Sequence, residues 1–366
     1  MGDKGEQAGN EKAPENAQTL FSGVREVDER HAVDETALFR FMEEAVNGFV
    51  GPLRVFQFKG GQSNPTYFLQ TPPRNYVLRR KPPGKLLPSA HAVDREYRVI
   101  SALKPLGFPV ATPYALCVDE SVIGTMFYVM EHVDGRILWD SALPDVDNAH
   151  RAAVFRQQID VLAQLHKVDW QQAGLQDFGK TGSYFTRQIG RWSTQYKASE
   201  TRAIHEMDRL IEFLPANVPA SETVSIVHGD FRLDNMILHP TEPRILAVLD
   251  WELSTLGDPL ADFTYYLMQW VMPRDVRGLM GLDYAGLEIP TIDEVVANYC
   301  ALTGRDSIPQ LDFFFSYNLF RLAAICQGIV GRVRDGTAAS ANAAAMEARV
   351  LPLAQAAWHY AKQAGA

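Results

Sequence analysis

Only three cysteines occur in 366 residues, Cys117, Cys300 and Cys326, and no two of them stand in a C-x-x-C spacing. So sparse and odd a set supports neither a disulfide framework nor a cysteine zinc site, and it suits a reducing compartment. Positive charge is also short. Against 35 lysines and arginines stand 44 aspartates and glutamates, a net charge of −9, which repels a nucleic-acid backbone unless basic residues cluster. The densest basic stretch, Arg79-Arg80-Lys81 with Lys85, is brief and interrupted by prolines, so no nucleic-acid partner is expected. No apolar run approaches the roughly 20 residues of a membrane span. The polar, acidic N-terminus has no apolar core for a signal peptide, so the expectation is a cytoplasmic protein without a membrane partner. No internal repeat of fixed period is visible.

What is present is ordinary for a globular chain: 46% apolar and 22% charged residues, enough to build a sizeable core. The length exceeds one hydrophobic core and predicts two lobes. Residues 1–20 offer almost nothing to bury and read as a solvated tail. From 21 to 131 the pattern is that of a small lobe. Asp34 is placed to cap a helix carrying Leu38, Phe41, Met42 and Val46 and ending near Gly48. Short β-like runs follow at Val55–Phe58, Thr66–Leu69 and Tyr76–Leu78. A helix over about 89–103 and a strand pair ending in Met126–Met130 complete the lobe. Residues 132–366 read as mostly helical, with apolar stripes such as Phe155, Ile159, Leu162 and Leu165. Two β-rich interruptions, Val224–Val227 and Ile245–Leu249, lead into clusters of Asp, Asn and Gly.

Those clusters carry the chemistry. In Ile226-Val227-His228-Gly229-Asp230-Phe231-Arg232-Leu233-Asp234-Asn235 an Asp and an Asn stand five positions apart, directly after an apolar strand. Phosphoryl transfer uses such a pair. A carboxylate orients the attacking hydroxyl and takes its proton, while an amide oxygen helps to hold Mg²⁺. Fifteen residues on, Asp250 ends the second apolar strand, where it can ligate the same metal. Taken singly, Asp230 and Asp250 also suit turns or helix N-caps.

The stretch His228-Gly229-Asp230-x-x-x-x-Asn235 with Asp250 resembles the aminoglycoside phosphotransferase and choline kinase superfamily from about Val55 onward. The resemblance implies an α+β, protein-kinase-like two-lobed fold, with a small antiparallel-sheet N-lobe and a mostly helical C-lobe. It implies a catalytic base at Asp230, metal ligands at Asn235 and Asp250, and ATP and Mg²⁺ as cofactors. Gly257-Asp258-Pro259 and Asp262 look like the family's structural brace. In the nucleotide lobe, Gly60, Gly61, Gln62, Ser63 and Asn64 are candidates for a phosphate-approaching loop, although any hairpin can use Gly-Gly. Arg79 stands where protein kinases carry a lysine, with Lys81 as the alternative, and Glu96 is its candidate ion-pair partner. Glu131 and Val133 mark the hinge beside the adenine. Among relatives, Tyr76 to Gly84 and Ser183 to Gln188 look most like the branch also found fused to acyl-CoA dehydrogenases.

Gly174 to Thr181 satisfies the P-loop pattern G-x-x-x-x-G-K-T, but it follows a helical stripe where a P-loop follows a buried strand, and Asp177 and Phe178 are bulky for close phosphate approach. As for the acceptor, only seven residues lie between Asp250 and Asp258, too few for the activation segment that supports a peptide substrate. A small hydroxyl compound fits better. Tyr265, Tyr317, Arg321 and Gln327 are candidate acceptor-binding residues, with Tyr266 and Trp270 as further lining, and each also suits plain helix packing. Arg321, Arg332 and Arg334 favour an anionic acceptor over a polycationic aminoglycoside, and the resemblance to the branch fused to acyl-CoA dehydrogenases implies an acidic or thioester-linked hydroxy compound. The alternatives kept are a true aminoglycoside kinase and a catalytically inert nucleotide-binding module.

Overall fold

Two compact units divide the chain in the computed structural model, which describes residues 23–59, 64–82, 92–220, 223–276, 278–336 and 343–366. The first takes the chain up to Tyr97, then Thr112–His132 and Ile137–Trp139; the second takes Arg98–Ala111, Val133–Arg136 and Asp140 onward. The assignment of Arg98–Ala111 to the second unit departs from a plain division near residue 131.

The first unit is a six-stranded antiparallel sheet of β1 (Val24–Arg25), β2 (Arg54–Phe58), β3 (Thr66–Gln70), β4 (Tyr76–Arg80), β5 (Pro113–Cys117) and β6 (Phe127–Glu131), in the order β1-β2-β3-β4-β6-β5. Helix α1 (Glu35–Ala45) starts where Asp34 accepts the Ala37 N–H at 2.9 Å. It stops before Gly48, because Val46 turns extended while its N–H still reaches the Met42 carbonyl. Leu38 and Met42 of α1 join Val55, Tyr67, Leu69, Leu78 and Val129 in one buried cluster, so α1 covers one face of the sheet. Opposed residues share a face. The register pairs Phe56 with Phe68, Phe68 with Val77, Val77 with Met130, Thr66 with Arg79, and Arg79 with Tyr128. This second set therefore lies on the face away from α1.

Helix α2 (Val93–Leu103) straddles the two units. The second unit is mostly helical: α3 (Asn148–His166), α4 (Tyr184–Ser199), α5 (His205–Ala216), α6 (Leu260–Val271), α7 (Ile292–Thr303), α8 (Leu311–Arg334) and α9 (Ala343–Gln363). Among these stand two short antiparallel pairs, β7 (Ser225–Val227) with β10 (Thr255–Gly257) and β8 (Met236–Leu238) with β9 (Ile245–Val248). The stripe Phe155, Ile159, Leu162 and Leu165 is buried in α3. Asp147 caps α3 by accepting the His150 N–H, and a reciprocal Thr291–Glu294 capping box starts α7. By length and composition α8 is apolar enough to cross a membrane, yet 83% of that stretch is buried inside the protein, against α4, α6 and α9. The returning segment of the first part also belongs here: Phe108 packs edge-on to Trp251, and Pro109 accepts the Val248 N–H at 2.8 Å.

Candidate active site

Strand β7 is wholly buried and delivers His228-Gly229-Asp230 at its end. Gly229 has φ +87°, and a Cβ there would stand 2.9 Å from the Leu253 carbonyl oxygen, so only glycine fits. The carboxylate of Asp262, at the start of α6, accepts the N–H groups of both His228 (2.5 Å) and Gly229 (2.8 Å). The His228 ring is fully buried. Its Nδ1 accepts the Asp230 N–H at 3.2 Å, which leaves Nε2 to donate to the Leu249 carbonyl at 2.9 Å. That pattern assigns the neutral, Nε2-protonated ring. Behind it, His166 lies 3.6 Å from Asp262 and exchanges a 2.7 Å hydrogen bond with Tyr299.

The Asp230 carboxylate is held on several sides. Tyr265 donates to Oδ1 at 2.8 Å, the Asn235 amide donates to Oδ2 at 3.0 Å and to the backbone carbonyl at 2.9 Å, and Arg232 pairs with Oδ1 at 3.1 Å. Burial pushes this carboxyl up, but the Arg232 charge, the Tyr265 hydroxyl and the Asn235 amide together outweigh it and hold the group below the usual carboxylate range. Tyr265 moves the other way, pushed up by burial and by the negative charge beside it. The site therefore presents an ionised carboxylate at neutral pH.

Asn235 closes a short 3-10 turn, and its carbonyl accepts the Leu249 N–H at 2.8 Å. The next residue, Asp250, takes a left-handed φ of +65° and opens another 3-10 turn, whose Trp251 is anchored by donating to the Val248 carbonyl. Carboxylate oxygens of Asp250 and Glu252 lie within 4.8 Å of each other. With its amide nitrogen directed to Asp230, Asn235 keeps its amide oxygen for a cation, while Asp234 of the same turn pairs with Arg232 at 3.3 Å. Amide and carboxylate oxygens are the donor type that suits Mg²⁺, which binds few protein oxygens and completes its shell elsewhere.

In the first unit, Glu96 is 1% exposed and meets Arg79 Nε at 3.0 Å, the Asn64 amide at 3.0 Å and the Tyr128 hydroxyl at 3.1 Å. Lys81, the alternative to Arg79, lies just past β4 with its N–H on the Met126 carbonyl. Asn64 is itself buried, so its amide orients Glu96. Gly60, Gly61, Gln62 and Ser63 lie outside the described residues. The Glu131 carboxylate accepts from the Thr112 N–H and hydroxyl, and Val133 is the first residue of the next segment. Phe58, Phe68 and His132 form a half-buried aromatic surface, with His132 4.9 Å from Phe68 and stacked on Phe58 at 6.5 Å.

The candidate acceptor residues separate. Tyr265 touches Asp230, and Arg321 donates to the Gly229 carbonyl at 2.8 Å. Tyr317 is buried against Phe185. Gln327 is not brought to the cluster: it is buried and donates to the Ser199 carbonyl and the Thr201 hydroxyl. Trp270 donates to the Pro290 carbonyl and packs edge-to-face with Tyr266, so both serve packing. Arg321, Arg332 and Arg334 do not converge, since eleven helical residues put Arg332 about 16 Å along α8 from Arg321, and Arg334 pairs with Asp335. The P-loop-like stretch lies between α3 and α4 with no strand before it. Asp177 pairs with Arg98, Phe178 is fully buried, and Gly179 packs so closely on β10 that a Cβ would stand 2.6 Å from the Leu256 nitrogen. Its glycine serves contact with a strand. Sequence reading passed over Arg232; its place two residues after Asp230, within the loop, was the available signal.

Residues 55–299 match the sequence model of the phosphotransferase enzyme family. The chain is 42% identical over 346 residues to acyl-CoA dehydrogenase family member 10 of Mus musculus, an alignment that covers 93% of this chain and 32% of that protein. It thus spans about a third of that relative's length. A solved structure from Ralstonia eutropha JMP134, described as a candidate aminoglycoside phosphotransferase, is 50% identical with a TM-score of 0.84, covering 91% of this chain and 99% of that one. A choline kinase from Cryptosporidium parvum Iowa II shares the fold at a TM-score of 0.60 and 12% identity, covering 90% and 95%.

Proposed function

The chain belongs to the phosphotransferase enzyme family, with a protein-kinase-like fold, and on that premise we propose that it moves the γ-phosphate of Mg-ATP to a hydroxyl group of a small molecule. The observation that carries this reading is the ionised Asp230 carboxylate, fixed by Tyr265 and Asn235 on a backbone pinned to Asp262. A carboxylate with a low pKa is a weak base. It suits a reaction in which the hydroxyl is first oriented and gives up its proton late. The acceptor oxygen forms a bond to the γ-phosphorus, the bond to the β,γ-bridging oxygen breaks, ADP leaves, and the hydroxyl proton passes to Asp230. Mg²⁺, when bound through Asn235 and Asp250, would neutralise charge on the phosphates. Arg79, oriented by Glu96, is assigned to the phosphates, and the half-buried surface of Phe58, Phe68 and His132, on the same unit, suits a planar base.

For the acceptor we propose an anionic or thioester-linked hydroxy compound. The support is the likeness to an acyl-CoA dehydrogenase family member; the arginines of α8 add little, because they do not converge. The Ralstonia relative's description keeps an aminoglycoside in the comparison. The test is transfer of labelled γ-phosphate to hydroxyacyl thioesters, sugars, choline and kanamycin-like amines at matched concentrations. Asp230→Asn should retain Mg-nucleotide binding and lose about 10²- to 10⁴-fold in rate, and Asp250→Asn should weaken metal-dependent nucleotide binding. Full activity in either variant overturns the assignment. Efficient transfer to an aminoglycoside alone overturns only the acceptor.

A further inference from the structure

The peptide between Gly229 and Asp230 is held at both ends. Its N–H, that of Asp230, goes to His228 Nδ1, and its carbonyl, that of Gly229, accepts from Arg321 Nη2 at 2.8 Å. Arg321 comes from the middle of α8, distant in sequence from this loop, and is only 9% exposed. Its guanidinium carbon lies 5.1 Å from the Tyr265 ring centroid and 5.8 Å from that of Trp192. Tyr265 in turn donates to Asp230. One side chain thus touches both groups that flank the carboxylate, the carbonyl on its backbone side and the ring whose hydroxyl it accepts. It is not itself bonded to Asp230.

We propose that Arg321 is a positioning residue, which acts through the Gly229 carbonyl and the Tyr265 ring to hold Asp230 in its working orientation. This rests on the reading of Asp230 as the base, and it moves Arg321 from the acceptor contacts to the machinery. Glycine has the freest backbone of any residue, so the peptide after Gly229 turns easily unless both ends are tied, and a turn there redirects the side chain of Asp230. Arginine suits the task because a planar guanidinium donates in its plane while its face lies on an aromatic ring; lysine keeps the charge without the plane.

The test uses the full chain with Mg-ATP and water as the acceptor, so that no unidentified substrate enters. Arg321→Met and Arg321→Lys are compared with the wild type, with Asp230→Asn as the inactive reference and Arg334→Ala, on the same helix, as the control. The expectation for Arg321→Met is a fall in kcat of about 10²-fold, the scale of a small misplacement, with Mg-ATP KM and Kd within about twofold of wild type. Arg321→Lys should recover part of that loss. Wild-type kcat in Arg321→Met overturns the proposal, as does a change confined to nucleotide affinity. Should Arg321→Met fail to fold, Arg321→Lys decides: a reduced kcat at unchanged Kd supports the role, and full kcat overturns it. Equal hydrolysis by wild type and Asp230→Asn would overturn the assignment of the base and this inference with it, whereas loss in Asp230→Asn alone would overturn only this one.

Discussion

His228 donates from Nε2 to the carbonyl of Leu249 at 2.9 Å, and together with the Leu249 N–H on the Asn235 carbonyl this bond ties the turn that carries Asp230 to the turn that carries Asp250. Because His228 Nδ1 also accepts the Asp230 N–H, the ring spans the two halves of the site. His228→Ala should remove the partner of the half-buried Leu249 carbonyl and Asp230 N–H, a cost of about 0.5–1.5 kcal/mol for each hydrogen bond lost. The check is the urea midpoint together with the Mg²⁺ dependence of transfer. Both should worsen, and wild-type values for both would contradict the bridging role.

Acid dependence follows from the groups around Asp230. Since its folded-state pKa is depressed, the stability it contributes is full above its unfolded value, about 3.9, and is lost as pH falls through the lower folded value. Arg232→Gln removes the largest lowering influence, so burial then acts with less opposition. The acid limb of kcat/KM should move to higher pH in this variant. A limb unmoved from wild type would mean that Arg232 does not set the carboxyl.

Glu96 is 1% exposed with Arg79 as its charge partner. Arg79→Met removes the guanidinium that faces it, and breaking one side of a buried pair costs about 3–5 kcal/mol. Arg79→Lys, which keeps the charge, should cost less. Chemical denaturation of both variants gives the ranking, and equal stability of wild type and Arg79→Met would remove the pair from the core of this unit.

Lys180 is exposed, in a stretch packed against β10. Lys180→Ala should bind Mg-ATP within about twofold of wild type. A tenfold weakening, about 1.4 kcal/mol, would restore the P-loop reading.

The legible parts of the site were those whose spacing is local. Asp230 and Asn235 stand in one loop and Asp250 ends the next strand, so a single run of sequence places all three together. The pairing of Arg79 with Glu96 could be anticipated because the α2 helix follows β4. Contacts between distant elements left no such trace. Nothing in the sequence says that Arg321 reaches a backbone carbonyl 92 positions earlier, or that Gln327 turns to Ser199 and away from the cluster. Among strands, β8 and β10 have three residues each and β1 only two, too few for an alternating pattern to register.

Arg98–Ala111 belongs to the helical unit although it comes before the last two strands of the sheet. No single cut therefore yields two self-sufficient fragments. A piece ending at His132 would carry off Phe108, only 2% exposed in the whole protein, without the Trp251 that covers it, and the remainder would lose the Pro109 carbonyl that accepts from Val248. A chimaera that exchanges the sheet between relatives would have to leave this fourteen-residue excursion with the helices it serves, splicing the donor sequence on either side of it.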